Sequence, residues 1–270
     1  MTRLGLLCLS ALLFHCGDDA APSDSAPEVA DSSGDEGAAD GEADGARDER
    51  LADSAGDGPT DCIASAEVVR FETSDGVELE ADRYEPSTPS GLGVVLLHMI
   101  PPSNDRSNYP AAFIDALSER CALVLNVDRR GAGGSAGSAR DAYTGDSGVL
   151  DAVAAVAHLR ERGAERIAIV GASNGTTTLL DYVASDAPDP VAAVFLSGGT
   201  YTENQHPLSS LGAVPALFLY PPGEASWNER DGNGRDTRTF ESVSPGAHGT
   251  RLFTSNPETV ERVATFVTGF

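Results

Sequence analysis

The clearest chemical signal is the pentapeptide G-A-S-N-G at positions 171–175, which fits the pattern G-x-S-x-G. It follows an apolar run typical of a buried strand and precedes a segment with helical spacing. Glycines at both ends permit a tight strand-to-helix turn that lifts the hydroxyl of Ser173 above the sheet. The N–H of Asn174 then points to where an oxyanion would form, next to the positive end of the following helix. The pattern indicates a nucleophilic serine.

The elements around this turn alternate between strands and helices. Apolar runs predict strands at residues 68–71, 77–81, 93–98, 122–127, 166–170, 191–196, 214–220 and 238–243. Helical spacing is found at residues 109–119, 147–162, 176–185 and 257–267. Two early strands around an Asp-Gly turn, followed by strand–helix repeats, predict an α/β fold with a mostly parallel central sheet and helices on both faces.

A second glycine-rich segment follows a predicted strand. Its sequence D-R-R-G-A-G-G-S, at residues 128–135, fits D-x-R-G-x-G-x-S. With the serine turn, it makes residues 67–270 resemble the α/β-hydrolase family. The resemblance is closest to small members without a cap domain, similar to dienelactone hydrolases and short-chain esterases, in which this segment is structural. Ser173 stands where the dienelactone hydrolases have cysteine, so their particular reaction is not implied.

The resemblance implies a catalytic base near the C-terminus, because the family order is serine, acid, histidine. His248 lies between the last predicted strand and the final helix, in a loop from which it can reach Ser173. His206 is the competitor for this role. His158 falls within a helix and is interpreted as a packing or surface residue, and His98 matches a structural histidine of the family.

The acid is expected in the loop after the strand that begins at Pro215, and the family spacing indicates Glu224. Glu229, Asp231 and, after the preceding strand, Glu203 are alternatives. The role requires a carboxylate that fixes the imidazole tautomer and stabilises the imidazolium.

Two backbone amides are expected to bind the oxyanion. The first is the N–H of Asn174. The resemblance implies that the second lies in the loop after His98, and Ile100 is assigned as its donor with Met99 as the second choice. Both side chains also fit apolar core positions, which is compatible with a role for the backbone.

The expected activity is that of a serine hydrolase acting on carboxylic esters through an acyl-enzyme, without metal or cofactor. About 17 residues separate the strands at 191–196 and 214–220, too few for a cap domain. A shallow site of this kind suits a small-molecule or surface-presented ester. Two alternatives stay open: an acyltransferase or peptidase with the same triad, and a catalytically degenerate binding module on the cell envelope.

The glycine-rich segment also fits a loose dinucleotide-binding pattern through Gly131, Gly133 and Ala136. That pattern requires a helix opening directly from the loop and an acidic residue at the end of a strand. No helix is predicted at the loop, and Asp151, at about the right distance, falls inside a helical segment. The context therefore argues against a dinucleotide site.

Charge excludes one class of partner. The chain has 18 cationic residues, all arginine, against 42 acidic ones, and a net charge of −24. No basic stripe is available for a phosphate backbone, which excludes nucleic-acid binding. No apolar run approaches the roughly 20 residues that span a bilayer.

The N-terminal region predicts export. Residues 1–16 read as a signal peptide, and Cys16 resembles the lipidated cysteine of bacterial lipoproteins, with Leu13 three positions before it. A lipid there would place the protein at the cell envelope and be its only link to a membrane; ordinary secretion is the alternative. Residues 17–61, with fifteen acidic residues and two arginines, predict a disordered acidic linker before the hydrolase domain at 62–270.

Cysteine pairing in that domain is open. Cys62 and Cys121 are the two cysteines that remain after the leader, and an oxidising compartment permits either a disulfide between them or two separate buried thiols. Neither has neighbours typical of a metal site.

Overall fold

The computed structural model describes Cys62 and residues 64–144, 146–202, 204–229 and 236–270. The predicted signal peptide, with Cys16, and the predicted linker at 17–61 lie outside the described residues. Those two assignments stay predictions.

Eight strands form one sheet in the described part of the chain. They are β1 (Ala66–Glu72), β2 (Glu78–Tyr84), β3 (Leu92–Leu97), β4 (Leu123–Val127), β5 (Arg166–Ala172), β6 (Ala192–Leu196), β7 (Ala216–Tyr220) and β8 (Arg238–Ser242). Their order is β1-β2-β4-β3-β5-β6-β7-β8. β2 pairs antiparallel with β1 and β4, and every other pairing is parallel. The predicted mostly parallel α/β sheet is confirmed.

The α-helices of the described residues are α1 (Ala111–Ser118), α2 (Ala139–Thr144), α3 (Gly148–Glu161), α4 (Gly175–Ala184), α5 (Ala225–Asn228), α6 (Leu252–Ser255) and α7 (Glu258–Thr268). The sequence did not predict α2, α5 and α6. Each spans at most six residues, which is too short to show a helical period of apolar residues.

Two apolar layers cover the sheet. α3 and α4 pack on one face and α1 and α7 on the other. β3, β4, β6 and β7 are buried along their whole length because both faces are covered. Since parallel strands end at the same edge of the sheet, the loops after β3, β5, β6 and β7 meet there.

A disulfide joins Cys62 to Cys121, the residue two positions before β4. Their Cα atoms are 4.6 Å apart. Of the two arrangements that the sequence left open, the structure therefore has the paired one. It attaches the start of the domain to the centre of the sheet.

Candidate active site

Ser173 lies in the sharp turn between β5 and α4. Its φ is +49°, in the left-handed region that a residue with a side chain rarely adopts. The flanking glycines make this turn possible by close packing. A Cβ on Gly171 would lie 2.7 Å from the carbonyl oxygen of Gly175, and a Cβ on Gly175 would overlap the carbonyl oxygens of Leu97 and His98. The turn predicted from the sequence is thus packed directly against the end of β3.

His248 meets Ser173 from the loop after β8. Its Nε2 lies 2.7 Å from Ser173 Oγ. The next residue, Gly249, has φ of +63° and donates its N–H to the hydroxyl of Ser197, at 2.9 Å. Ser197 follows β6 and also has a positive φ, at +55°. The loop that carries the imidazole is therefore fastened to the end of a central strand.

Glu224 completes a linear arrangement. Its Oε1 lies 2.7 Å from His248 Nδ1, while its Oε2 is buried without a hydrogen-bond partner. Asn228, fully buried on α5, donates to the carbonyl of Glu224 at 2.9 Å and to that of Gly198 at 3.1 Å. One buried amide thus ties the acid-bearing loop to the loop after β6.

The loop after β3 lies beside the serine. A Cβ on Gly249 would be 2.5 Å from Met99 Sδ and 3.7 Å from Ser173 Cβ, so both residues face the same glycine. Met99 is buried, and Ile100 is 40% exposed. Asn174, at the serine turn, is 1% exposed. The structure therefore gathers the segments that carry all three predicted oxyanion residues around Ser173.

His98 holds this loop in place and is neutral. Its Nε2 accepts the backbone N–H of Arg129 at 2.9 Å, so the ring proton is on Nδ1, which donates to the carbonyl of Met99 at 2.7 Å. Burial, and secondarily the charge of Arg129, lowers the pKa of His98 to about 3. The side chain is a structural link between β4 and the loop after β3.

The segment of the chain that forms this site matches the model of a known sequence family. The family model described as serine aminopeptidase, S33 (Hydrolase_4), matches residues 94–262, which include Ser173, Glu224 and His248. The chain belongs to the α/β-hydrolase family. The resemblance to the α/β-hydrolase family that the two glycine-rich segments carry is confirmed, and in this hydrolase the loops of Ser173, Glu224 and His248 meet at one edge of the sheet.

Solved structures share the fold of this hydrolase. The esterase Pf2001 of Pyrococcus furiosus has a TM-score of 0.61 and 20% identity, over 79% of this chain and 96% of that one. XC6422 of Xanthomonas campestris, titled an a/b serine hydrolase without lid, has a TM-score of 0.60 and 16% identity, over 76% and 94%. The esterase EaEST of Exiguobacterium antarcticum has 0.57 and 13%, over 74% and 99%. At these identities the likeness establishes the fold. No curated protein matched the chain.

The other predicted histidines lie elsewhere. His206 pairs with Asp181 of α4 at 2.7 Å. His158 stacks on Phe71, with ring centroids 5.0 Å apart. Neither contacts Ser173 in the hydrogen bonds of the described residues.

The alternative acids are also separated. Glu229 accepts the hydroxyl of Tyr220 at 2.6 Å, away from the imidazole. Glu203 and Asp231 lie outside the described residues. Asp151, considered above for a dinucleotide site, is fully buried. Its carboxylate accepts the backbone N–H of Arg130 at 2.9 Å and the Nε–H of Arg130 at 2.7 Å.

Tyr201 is a site residue that the sequence did not assign to the triad. Its hydroxyl donates to the carbonyl of Ser197 at 2.6 Å, and its ring meets His248 edge-on with centroids 6.2 Å apart. Burial raises the pKa of Tyr201 to about 12, although a hydrogen bond with Ser173 opposes the shift. A Cβ on Gly199 would lie 2.6 Å from the Tyr201 ring. In the sequence, the Gly198-Gly199 pair is the feature that indicates a side chain packed closely against this loop.

Three further features of the described residues complete the description. Between β6 and β7 they form one short 3-10 helix, Leu208–Leu211, in agreement with the predicted lack of a cap domain. They contain no cluster of three or more His, Cys, Asp or Glu residues arranged to hold a metal ion. Their helices are too short or too polar to cross a bilayer.

Proposed function

We propose that this chain is a carboxylic-ester hydrolase that acts through Ser173, His248 and Glu224 by way of an acyl-enzyme. The observation that carries the proposal is the chain of two 2.7 Å contacts from Ser173 Oγ to His248 Nε2 and from His248 Nδ1 to Glu224 Oε1. A serine bonded to a base that is itself oriented by a carboxylate is the arrangement that activates a weak hydroxyl nucleophile.

The first half-reaction forms the acyl-enzyme. Ser173 Oγ attacks the ester carbonyl carbon while its proton passes to His248 Nε2. The carbonyl oxygen becomes an oxyanion held by the backbone N–H of Asn174 and that of Ile100, with Met99 as the alternative second donor. When the intermediate collapses, the carbon–oxygen bond to the alcohol breaks and the alcohol takes the proton from His248.

The second half-reaction releases the acid. His248 removes a proton from water, the hydroxide attacks the acyl carbon, and the proton returns to Ser173 Oγ as the ester bond to the enzyme breaks. Glu224 keeps the imidazole oriented and balances its transient charge throughout. The three side chains and two amides supply every proton transfer and charge contact, so the proposal includes no cofactor or metal.

The open site supports the substrate class that we propose. We propose small-molecule esters or esters presented at a surface, because the described residues between β6 and β7 provide no lid. The location that we propose is the cell envelope, by export and lipidation of Cys16, with the acidic segment at 17–61 as a tether. A chain this acidic would repel strongly anionic substrates at low salt.

A peptidase is the second candidate function, because the matching family model is described as serine aminopeptidase. The same triad cleaves amides and esters, and the two differ in the leaving group that His248 must protonate. Parallel assays with an ester and an amide of the same acyl group separate the two activities. Faster cleavage of the amide would favour the peptidase.

The test of the proposed function is labelling of the purified chain with a fluorophosphonate, which reacts with activated serines. We expect the parent to label and the Ser173→Ala and His248→Ala variants not to. His206→Ala is the matched control, since its ring pairs with Asp181 instead, and it should label like the parent. A folded parent that does not label would overturn the proposal in favour of a binding module.

A further inference from the structure

Arg129 is an unusual residue behind the active site. It follows β4, its side chain is 0% exposed, and among the described residues no carboxylate lies within ion-pair distance of its guanidinium. Its neighbour Arg130, also buried, has the usual compensation: Nε bonds to Asp151 at 2.7 Å and NH1 bonds to Asp75 at 2.8 Å. Asp151 and Asp181 raise its pKa only from a distance, and burial of a charge without a bonded counterion costs several kcal/mol, so the position of this side chain calls for an explanation.

The explanation lies in the partners of the guanidinium. One terminal nitrogen donates to Asn174 Oδ1 at 2.9 Å and to the carbonyl of His98 at 3.3 Å. The other donates to Thr178 Oγ1 at 2.7 Å and to the carbonyl of Ala142 at 2.8 Å. All four N–H bonds of these two nitrogens are thus used, and Nε alone is without a partner.

Two of these contacts join the segments that supply the oxyanion donors. Asn174 carries one of the proposed donor amides, and His98 begins the segment that contains Met99 and Ile100. The backbone N–H of Arg129 adds a third link, to His98 Nε2 at 2.9 Å. One planar side chain therefore spans both halves of the oxyanion site, which belong to two different loops.

The charge of Arg129 is also well placed. Burial lowers its pKa to about 10, so the guanidinium stays protonated at neutral pH. His98 is neutral, and the guanidinium bonds only to neutral oxygens, so Asp151 and Asp181 offset its charge only from a distance. A fixed positive charge in a water-excluded region favours the negative charge that develops nearby in the transition state.

We propose that Arg129 is the positioning residue of the oxyanion site: it holds the turn at Asn174 and the loop at His98 at one spacing and directs positive charge toward the oxyanion. The inference rests on the proposed ester hydrolysis. Arg129 acts on the charge that forms in the transition state and touches no ground-state substrate, so its loss lowers kcat and leaves KM nearly unchanged.

The test compares the purified parent with Arg129→Met and Arg129→Lys in hydrolysis of a p-nitrophenyl ester and in inhibition by a boronic acid. The boronic acid forms a tetrahedral adduct on Ser173 that places an oxygen in the oxyanion site. We expect Arg129→Met to lower kcat about tenfold to a hundredfold, below the 10²–10³-fold effect of deleting a direct donor. Boronate affinity should fall in parallel with kcat/KM, while KM changes less than about twofold. Arg129→Lys keeps the charge but loses the planar fork, and should recover part of kcat.

Two controls separate positioning from general destabilisation. Val263→Ala removes buried volume from α7 on the opposite face of the sheet, so it should lower the unfolding midpoint without lowering kcat. Asn174→Ala removes the side-chain oxygen that Arg129 binds but keeps the backbone donor. The double variant with Arg129→Lys should lower kcat by less than the product of the two single decreases, because both substitutions remove the same interaction.

The outcomes distinguish this inference from the proposed function. A parent that neither labels nor hydrolyses esters overturns both. Suppose instead that the parent labels and hydrolyses the ester. If Arg129→Met then has the same kcat as the parent, or differs from it only in KM, the role of Arg129 alone is overturned. If Arg129→Met does not fold, Arg129→Lys and Asn174→Ala carry the test, and unchanged boronate affinity in both contradicts the inference.

Discussion

The two sides of the candidate active site are built differently. The nucleophile side, formed by the β5–α4 turn with His98 and Arg129, consists of residues at most 6% exposed and packed against strand ends. The acid side, the loop at 221–229, presents a Glu224 side chain that is 29% exposed. Close backbone packing fixes the position of Ser173 from several directions, whereas the position of Glu224 depends on a few hydrogen bonds from a short helix. The serine turn therefore stores backbone strain, whereas the acid loop tolerates small changes in position.

The largest expected effect concerns the strained nucleophile. Ser173→Gly should lower kcat by about 10⁵ to 10⁶-fold, since loss of the nucleophile removes the acyl-enzyme route. The same variant should be more stable than Ser173→Ala by about 1 kcal/mol, because glycine adopts a φ of +49° without steric cost. Ester kinetics and urea unfolding measure the two quantities. Equal stability of the two variants would show that the turn stores no strain.

The next effect concerns the acid side. Glu224→Gln should lower kcat about 10³ to 10⁴-fold, because a neutral amide neither fixes the proper tautomer nor stabilises the imidazolium. Glu229→Gln is the matched control in the same loop, and its kcat should stay near that of the parent. Should both variants keep full activity, the acid would have to be sought at Glu203 or Asp231.

Acid sensitivity should come partly from the nucleophile side. The pKa of His98 is about 3 in the folded chain against an ordinary value of 6.5, so only the unfolded chain takes up its proton between these values. The free energy of unfolding should therefore fall as pH drops from 6.5 toward 3, by up to about 1.4 kcal/mol per pH unit. Urea titrations of the parent and His98→Gln test this: the variant should lose stability less steeply. Parallel pH profiles would show that His98 does not contribute.

The smallest effect concerns the support of the acid side. Asn228→Ala removes the amide that joins the carbonyls of Glu224 and Gly198, which should misplace the carboxylate and lower kcat/KM about tenfold, as small displacements of positioning groups do. Ser226→Ala, at an exposed position of the same helix, serves as the control. If the two variants behave alike, the hydrogen bonds of Asn228 do not hold the acid in place.

Local and non-local features of the site differed in how far the sequence predicted them. The serine turn was readable because its glycines, its strand and its helix are adjacent in the chain. His248 and Glu224 required the family resemblance, since they follow Ser173 by 75 and 51 positions. Tyr201, Asn228 and Arg129 were not assigned because each acts through contacts with distant loops. From the sequence alone, the adjacent Arg129 and Arg130 give no indication of which one forms an ion pair with a carboxylate.

By itself, the sequence predicted the α/β sheet and the serine turn, because apolar periodicity and glycine spacing act over neighbouring residues, and its two glycine-rich motifs carried the family resemblance. Only the tertiary structure decided that Cys62 pairs with Cys121, that Glu224 and not Glu229 reaches His248, and that Arg129 bonds to both His98 and Asn174. The physical reason is that parallel strands bring loops from distant parts of the chain to one edge, where sub-ångström placement selects the contacts.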